Sequence, residues 1–210
     1  MVGPPLPPLL HSVVPSYSFV VARPRARGLV VRAAPSGAVV ARLGPRTDFG
    51  SRLVVSVAKR RGRWLGVITS GVPNGRLGWI DARAVRTSRV RLRLEVSLSA
   101  RKLLVMRGRR VLRRIRVGIG APGTPTPTGR FAITDKLSGA DFGAVYGCCI
   151  LALSGNQPHP PPGWNASESR LAIHGGAQGA VSAGCLHART AALRFLMAHV
   201  PLGTRVTIRA

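Results

Sequence analysis

Leu92, Leu94, Val96 and Leu98 alternate strictly with Arg91, Arg93, Glu95, Ser97 and Ser99. A period of two places every apolar side chain on one side of an extended chain, so this segment is a strand with one buried face. Residues 103–106 are a second apolar run. They lead through Arg107-Gly108-Arg109 into residues 111–119, where Val111, Ile115, Val117 and Ile119 keep one register with Arg113 on their side. Short turns between alternating runs predict a meander of antiparallel strands. Further strands are expected at residues 130–134, 150–153, 171–174 and 205–209, with a Pro-rich loop over residues 154–170. Helical spacing occurs at Leu193, Leu196, Met197 and Val200, with Thr190 as the expected N-cap and Pro201 as the stop. The fold class is therefore mostly β with one late helix.

The first half carries the same signature in shorter pieces. Residues 53–58, 64–69 and 77–80 are strand-like, separated by the basic turn at residues 59–63 and by Pro73-Asn74-Gly75. Such spacing suggests a small β-barrel. Trp64 and Trp79 are expected in its core, or in a groove. Residues 1–27 are Pro- and Arg-rich without periodicity and read as a tail or linker. The expected organisation is a tail over 1–27, a small barrel over 28–87 and a second unit over 90–210. The barrel resembles bacterial SH3-like domains in its strand spacing and in Gly62-Arg63-Trp64 and Gly78-Trp79-Ile80. That resemblance implies a module that binds cell-wall material or positions a neighbouring catalytic unit.

Composition narrows the chemistry. The chain has 210 residues, six of them acidic, so calcium loops, two-metal sites and paired-carboxylate chemistry lack ligands. No metal or organic cofactor is expected. The net charge is +26, which suits anionic partners but says nothing of fold, and a GC-rich coding bias produces the same composition. The arginines are spread along the chain without a recognised nucleic-acid motif, so no nucleic-acid partner is expected. No apolar run reaches the roughly 18–20 residues of a membrane span. The patch over residues 9–22 is broken by His11 and Pro15 and has no basic residue before it, which makes a poor secretory signal.

Three cysteines give neither a disulfide framework nor a CxxC metal spacing. Cys148 and Cys149 are adjacent and are expected to split between burial and exposure. Cys185 stands alone, eleven residues after His174, in Ser182-Ala183-Gly184-Cys185. A thiol becomes a nucleophile when a histidine or a helix N-terminus favours its thiolate, and a helix is expected soon after Cys185. His174 closes a strand and precedes Gly175-Gly176, so it is the expected proton donor and acceptor, with His187 as the rival base. The Gly175 carbonyl could hold the imidazole in its useful tautomer in place of a carboxylate. The amides of Gly184 and Cys185 could stabilise an oxyanion. A bland alternative remains for each residue: a buried inert cysteine and a structural histidine. His159 lies in the Pro-rich loop, which reads equally as a flap or as plain surface. His199 sits near the helix end and is expected to be non-catalytic.

Ile173-His174-Gly175, followed by Val181-Ser182-Ala183-Gly184-Cys185-Leu186, resembles the L,D-transpeptidase catalytic domain. Thr126-Pro127-Thr128-Gly129-Arg130-Phe131 is similar to that family's strand-entry motif, and the resemblance covers about residues 90–209. The spacer between His174 and Cys185 is shorter than is common there. Ala183 and His187 stand where many members carry His and Arg or Asn. The resemblance implies a β-sandwich and a peptidoglycan substrate. Cys185 would attack the stem peptide at its third residue and release D-alanine, and an amine would resolve the thioester into a 3→3 cross-link. His174 would move the protons and Ser182 would contact or orient the site. An anionic stem peptide calls for basic residues near the pocket, for which Arg130 and Arg189 are candidates. Hydrolysis of the same intermediate, a non-catalytic wall-binding module and nucleic-acid binding are the alternatives. The expected protein is an extracytoplasmic, wall-associated monomer, with a start further upstream or an atypical export route.

Overall fold

The computed structural model describes residues 19–165 and 168–210. Most of the expected tail, residues 1–18, lies outside the described residues. Its last part does not behave as a tail. Phe19–Pro24 forms β1, hydrogen-bonded along its length to Val85–Val90 and through Val21 and Ala22 to Val55–Arg61. Val21 and Ala22 are fully buried, and that burial orders a run too short to show alternation in the sequence.

The chain continues through β2 (Leu29–Arg32), β3 (Val39–Leu43), β4 (Val55–Arg61), β5 (Trp64–Ile68), β6 (Gly78–Asp81) and β7 (Val85–Val90). With β1 these make a seven-stranded antiparallel sheet in the order β3-β2-β6-β5-β4-β1-β7. Its core is Leu29, Val31, Val55, Leu65, Val67, Ile80 and Val85 with their neighbours. Trp79 is buried. Trp64 is half-buried beneath the guanidinium groups of Arg32 and Arg63.

The second unit begins with the expected meander, β8 (Leu92–Ser97), β9 (Lys102–Arg107) and β10 (Arg110–Arg116). Then come β11 (Ile119–Gly120), β12 (Gly129–Ser138), β13 (Cys149–Asn156), β14 (Arg170–His174), β15 (Ala180–Ser182), β16 (Leu186–His187), α1 (Thr190–His199) and β17 (Arg205–Arg209). Eight of these strands form one sheet in the order β10-β9-β8-β17-β12-β13-β14-β16, and β11 pairs with β15. The sheet is mixed: β17 runs parallel to β8, and β16 runs parallel to β14.

Phe131, Ile133, Leu151, Leu153, Leu171, Ile173 and Leu186 form the core with Leu193 and Leu196 of the helix, each at most 2% exposed. The helix packs on β13. Its N-cap is Arg189, not Thr190, and the cap makes no side-chain hydrogen bond.

The two units share a seam. Val21 and Val54 join the core of the second unit. Asn74, from the turn before β6, exchanges two hydrogen bonds with the backbone of Asn156 at 2.6 and 3.0 Å. Thr47 donates its hydroxyl to the fully buried carboxylate of Asp135, and Arg205 donates to the Val57 carbonyl at 2.9 Å. The first sheet therefore rests against the ends of β12, β13 and β17.

Candidate active site

Paired residues in a sheet point to the same side, so the register sorts the side chains. Ile173 opposes Leu151 on one strand and Leu186 on the other, and all three lie in the core. Ala172, Ala152, His174 and His187 consequently share the opposite face. Arg170, two residues before Ala172 on β14, follows the same alternation, and Cys185 lies just before β16. The structure sets Cys185 against the strand that ends in His174, through the contact of its thiol with the Arg170 carbonyl, at the edge of the sheet.

His174 is 6% exposed. Its Nδ1–H donates to the Gly175 carbonyl at 2.6 Å, which leaves Nε2 as the acceptor. That carbonyl stands where a carboxylate would orient the imidazole in a triad. The Gly175 amide donates to the Tyr146 carbonyl at 2.8 Å, and the Tyr146 ring meets the imidazole edge-on at 4.9 Å. Burial, then the neighbouring His187, lowers the imidazole to about 4 against the partial support of the Gly175 carbonyl. Burial also pushes the Cys185 thiol up to about 11, while the Ala172 amide facing the sulfur works against it. The resting pair is a neutral thiol and a neutral imidazole. The thiol itself points to the Arg170 carbonyl, 3.9 Å away.

The loop carrying Cys185 is tied down from three directions. Ser182 Oγ donates to the Cys185 carbonyl at 2.7 Å and accepts from the Gly184 amide at 3.1 Å. The Gly184 amide is thus occupied at rest. Thr124 Oγ1 donates to the Ser182 carbonyl at 2.9 Å. Gln157, buried to 3% exposure, donates through Nε2 to the carbonyls of Thr124, Pro125 and Ala183 at 3.1–3.2 Å. Its Oε1 accepts the amide of His159. Gly184 has φ of +112°, and a Cβ there would lie 2.3 Å from Gln157 Nε2. Only glycine lets the chain take this turn against the glutamine. Thr126 of the strand-entry motif accepts the Gly120 amide at 2.8 Å, and Phe131 of the same motif enters the core.

Other candidates fall elsewhere. Four residues, including strand β16, separate Cys185 from the helix start, so the thiol does not sit at a helix N-terminus. His187 donates from Nδ1 to the Ala177 carbonyl at 2.9 Å, and its ring lies 4.8 Å from that of His174. Arg130 is exposed on β12 opposite Thr207, and Arg189 is exposed at the helix start. No hydrogen bond or ion pair among the described residues links either arginine to Cys185 or His174. His199 bonds its own helix at Phe195.

Cys148 and Cys149 are joined to each other by a disulfide, contrary to the expected separation of a buried from an exposed thiol. Cys149 opens β13 but Cys148 belongs to the preceding turn, so strand alternation does not hold the two apart. Cys185 is the free cysteine.

Sequence reasoning missed Gln157, Tyr146 and Arg170. Arg170 had a usable signal, because it lies at the same parity as Ala172 and His174 on one strand. Gln157 and Tyr146 had none, since both act through contacts between distant segments.

Residues 91–208, more than half of the chain, match the model of the YkuD family, the L,D-transpeptidase catalytic domain. The chain belongs to that family. Among solved structures it is similar to a protein of Bdellovibrio bacteriovorus, at 20% identity over 57% of this chain and 48% of that one, with a TM-score of 0.46. It is also similar to L,D-transpeptidase 1 of Mycobacterium tuberculosis, at 20% identity over 64% and 77% with a TM-score of 0.41. A third is an L,D-transpeptidase of Enterococcus faecium, at 16% identity over 74% of each chain with a TM-score of 0.46. The chain spans about half the length of the Bdellovibrio protein. No curated protein matches it.

Proposed function

We propose that this chain is a peptidoglycan L,D-transpeptidase that forms 3→3 cross-links through a thioester at Cys185. The observation that carries the reading is the orientation of His174, whose Nδ1–H is committed to Gly175 so that Nε2 is left as the acceptor, on the strand whose Arg170 carbonyl receives the Cys185 thiol. Family membership supplies the reaction class.

In this reading His174 Nε2 takes the thiol proton as sulfur attacks the carbonyl carbon of the third stem residue. The carbon–sulfur bond forms and the carbonyl electrons move to oxygen. The Cys185 amide faces that oxyanion, and the Gly184 amide joins by exchanging Ser182 for it. The oxyanion collapses, the peptide bond breaks, and the His174 proton leaves with the amine of D-alanine. An acceptor amine then attacks the thioester and gives a proton back to His174. The thiolate departs and recovers that proton. Starting from a neutral pair, the proton moves only as the bond forms, which suits a site whose thiol stays quiet until substrate arrives.

The division of labour is part of the proposal. The first sheet, an SH3-like unit over residues 28–87 extended by β1, positions the catalytic unit over residues 90–210. The substrate places the protein outside the membrane, at the wall. Among the described residues no helix is long and apolar enough to cross a membrane.

The test is product analysis with a disaccharide-tetrapeptide as donor. D-Alanine release together with a dimer linked between third residues supports the reading. D-Alanine release with a trimmed stem and no dimer, even with added amine, assigns hydrolysis instead. No release by folded protein with a reduced Cys185 refutes both.

A further inference from the structure

Arg170 opens β14 and its side chain leaves on the face that carries His174. The side chain is 9% exposed. One guanidinium nitrogen lies 3.4 Å from Asp48 Oδ2, and the buried Nε has no partner among the described residues. Asp48 is 73% exposed and belongs to the first sheet's unit. Phe49 lies beneath the guanidinium, 5.8 Å from its carbon.

The group lines a cavity of about 200 Å³ whose other walls include Phe49, Phe142, Tyr146, Ile150 and Ala172, with Glu168 beside them. Phe142 packs edge-on against both Phe49 and Tyr146. The cavity adjoins the nucleophile through the backbone. The Arg170 carbonyl receives the Cys185 thiol, and the Ala172 amide faces the sulfur.

A guanidinium buried this far is stable only when its donors are occupied, and its planar fork matches a carboxylate held by two bonds. Asp48 supplies one long contact and the buried Asp135 a second, more distant negative charge, yet Nε stays empty. The aromatic walls suit the aliphatic part of a peptide.

We infer that this cavity binds a carboxylate of the acyl donor, and that Asp48 is an internal stand-in that the donor displaces. The inference rests on the proposed function. The donor's carboxylate replaces the Asp48 contact and engages Nε, while Asp48 turns to solvent. The site is complete only with the loop of the first sheet's unit in place, so that unit supplies part of the donor subsite. The carboxylate comes either from the terminal fourth residue or from the side chain of the third.

The experiment follows the Arg170 Nε–H resonance and the binding constant in full-length Cys185→Ala protein. Three ligands are titrated: a disaccharide-tetrapeptide ending in D-alanine with diaminopimelate third, the same peptide as its terminal amide, and one with lysine third. The unmodified donor is expected to shift the Nε–H signal. Arg170→Lys, which keeps the charge and loses the fork, is expected to weaken that donor about tenfold. Asp48→Asn, a change at an exposed position, is expected to tighten it several-fold by removing the competitor. The modified peptide that loses both effects identifies the carboxylate engaged. Stem binding without an Nε–H shift, or an Asp48→Asn variant that binds no tighter, overturns the inference and leaves the proposed function standing. If no stem peptide binds and no acyl-enzyme forms on wild-type protein, the proposed function falls and the inference with it.

Discussion

The rings of His174 and His187 lie 4.8 Å apart at 55°, and the second imidazole is held there by a glycine. A Cβ on Gly176, where φ is +142°, would sit 2.6 Å from His187 Nδ1. Gly176→Ala is therefore expected to drive His187 off both His174 and the Ala177 carbonyl. Strained backbone of this kind costs about 1–3 kcal/mol. The expected outcome is a lower thermal midpoint and at least a tenfold loss of D-alanine release, checked by calorimetry and by amino-acid analysis.

Removing the neighbour altogether separates charge from burial. His187→Ala is expected to raise His174 from about 4, because the electrostatic influence of His187 is gone, yet to leave it below its ordinary 6.5, because burial is the larger cause. An NMR titration of the His174 ring protons checks this. A value unchanged from wild type would show that His187 does not act on His174.

The pH dependence has a definite sign. In the proposed mechanism a neutral His174 accepts the thiol proton, so kcat/KM is expected to fall as pH drops through about 4, well below the ordinary histidine range. Stability follows the same group. Between about 4 and 6.5 the unfolded chain binds a proton that the folded chain refuses, so stability is complete above 6.5 and is lost as pH falls through about 4. Cys185 works in the other direction: its contribution is present below 9 and is lost as pH rises through about 11. Urea titrations across both windows, compared with Cys185→Ala at the alkaline end, check both signs.

The reach of the sequence follows from which forces act locally. Alternation at Leu92, Leu94 and Val96 announced β8, and helical spacing at Leu193 and Leu196 announced the helix, because each pattern is set by one buried face. His174 and Cys185 stood out because their motif is contiguous. The meeting of Cys185 with the strand that carries His174 was not legible. It depends on β16 turning to run parallel beside β14, a pairing of two residues that no periodicity reveals. The strand Phe19–Pro24 was hidden for a similar reason: its order comes from partners more than thirty residues away. Gln157 reads as an ordinary loop residue until the fold places three carbonyls around its amide.

That amide leads to a further expectation. Gln157→Leu keeps the bulk and leaves the carbonyls of Thr124, Pro125 and Ala183 without their shared donor. Unmet buried groups cost about 1–3 kcal/mol each, so a loss of several kcal/mol is the upper limit. The Cys185 loop is expected to loosen before the core does. Hydrogen exchange at Gly184 and Cys185 that quickens while exchange in β12 and β13 stays slow would match this.

The seam between the two units turns on Thr47 and Asp135. Thr47→Val removes the hydroxyl that serves a fully buried carboxylate, at a cost of about 1–3 kcal/mol. Asp135→Asn in the same protein is expected to recover only part of the loss, because a neutral amide is cheaper to bury than a carboxylate short of a donor but withdraws a charge that acts on the buried Arg170. Urea denaturation of the two single variants and the double variant gives the coupling between them.

The most direct measurement is the intact mass of the protein after brief incubation with a disaccharide-tetrapeptide, with Cys185→Ala and His174→Ala alongside. The expected result is an adduct on wild type equal to the donor minus D-alanine, placed on Cys185 by peptide mapping. It should be absent from Cys185→Ala and strongly reduced in His174→Ala. An adduct on another residue, or D-alanine release that survives Cys185→Ala, would contradict a cysteine thioester.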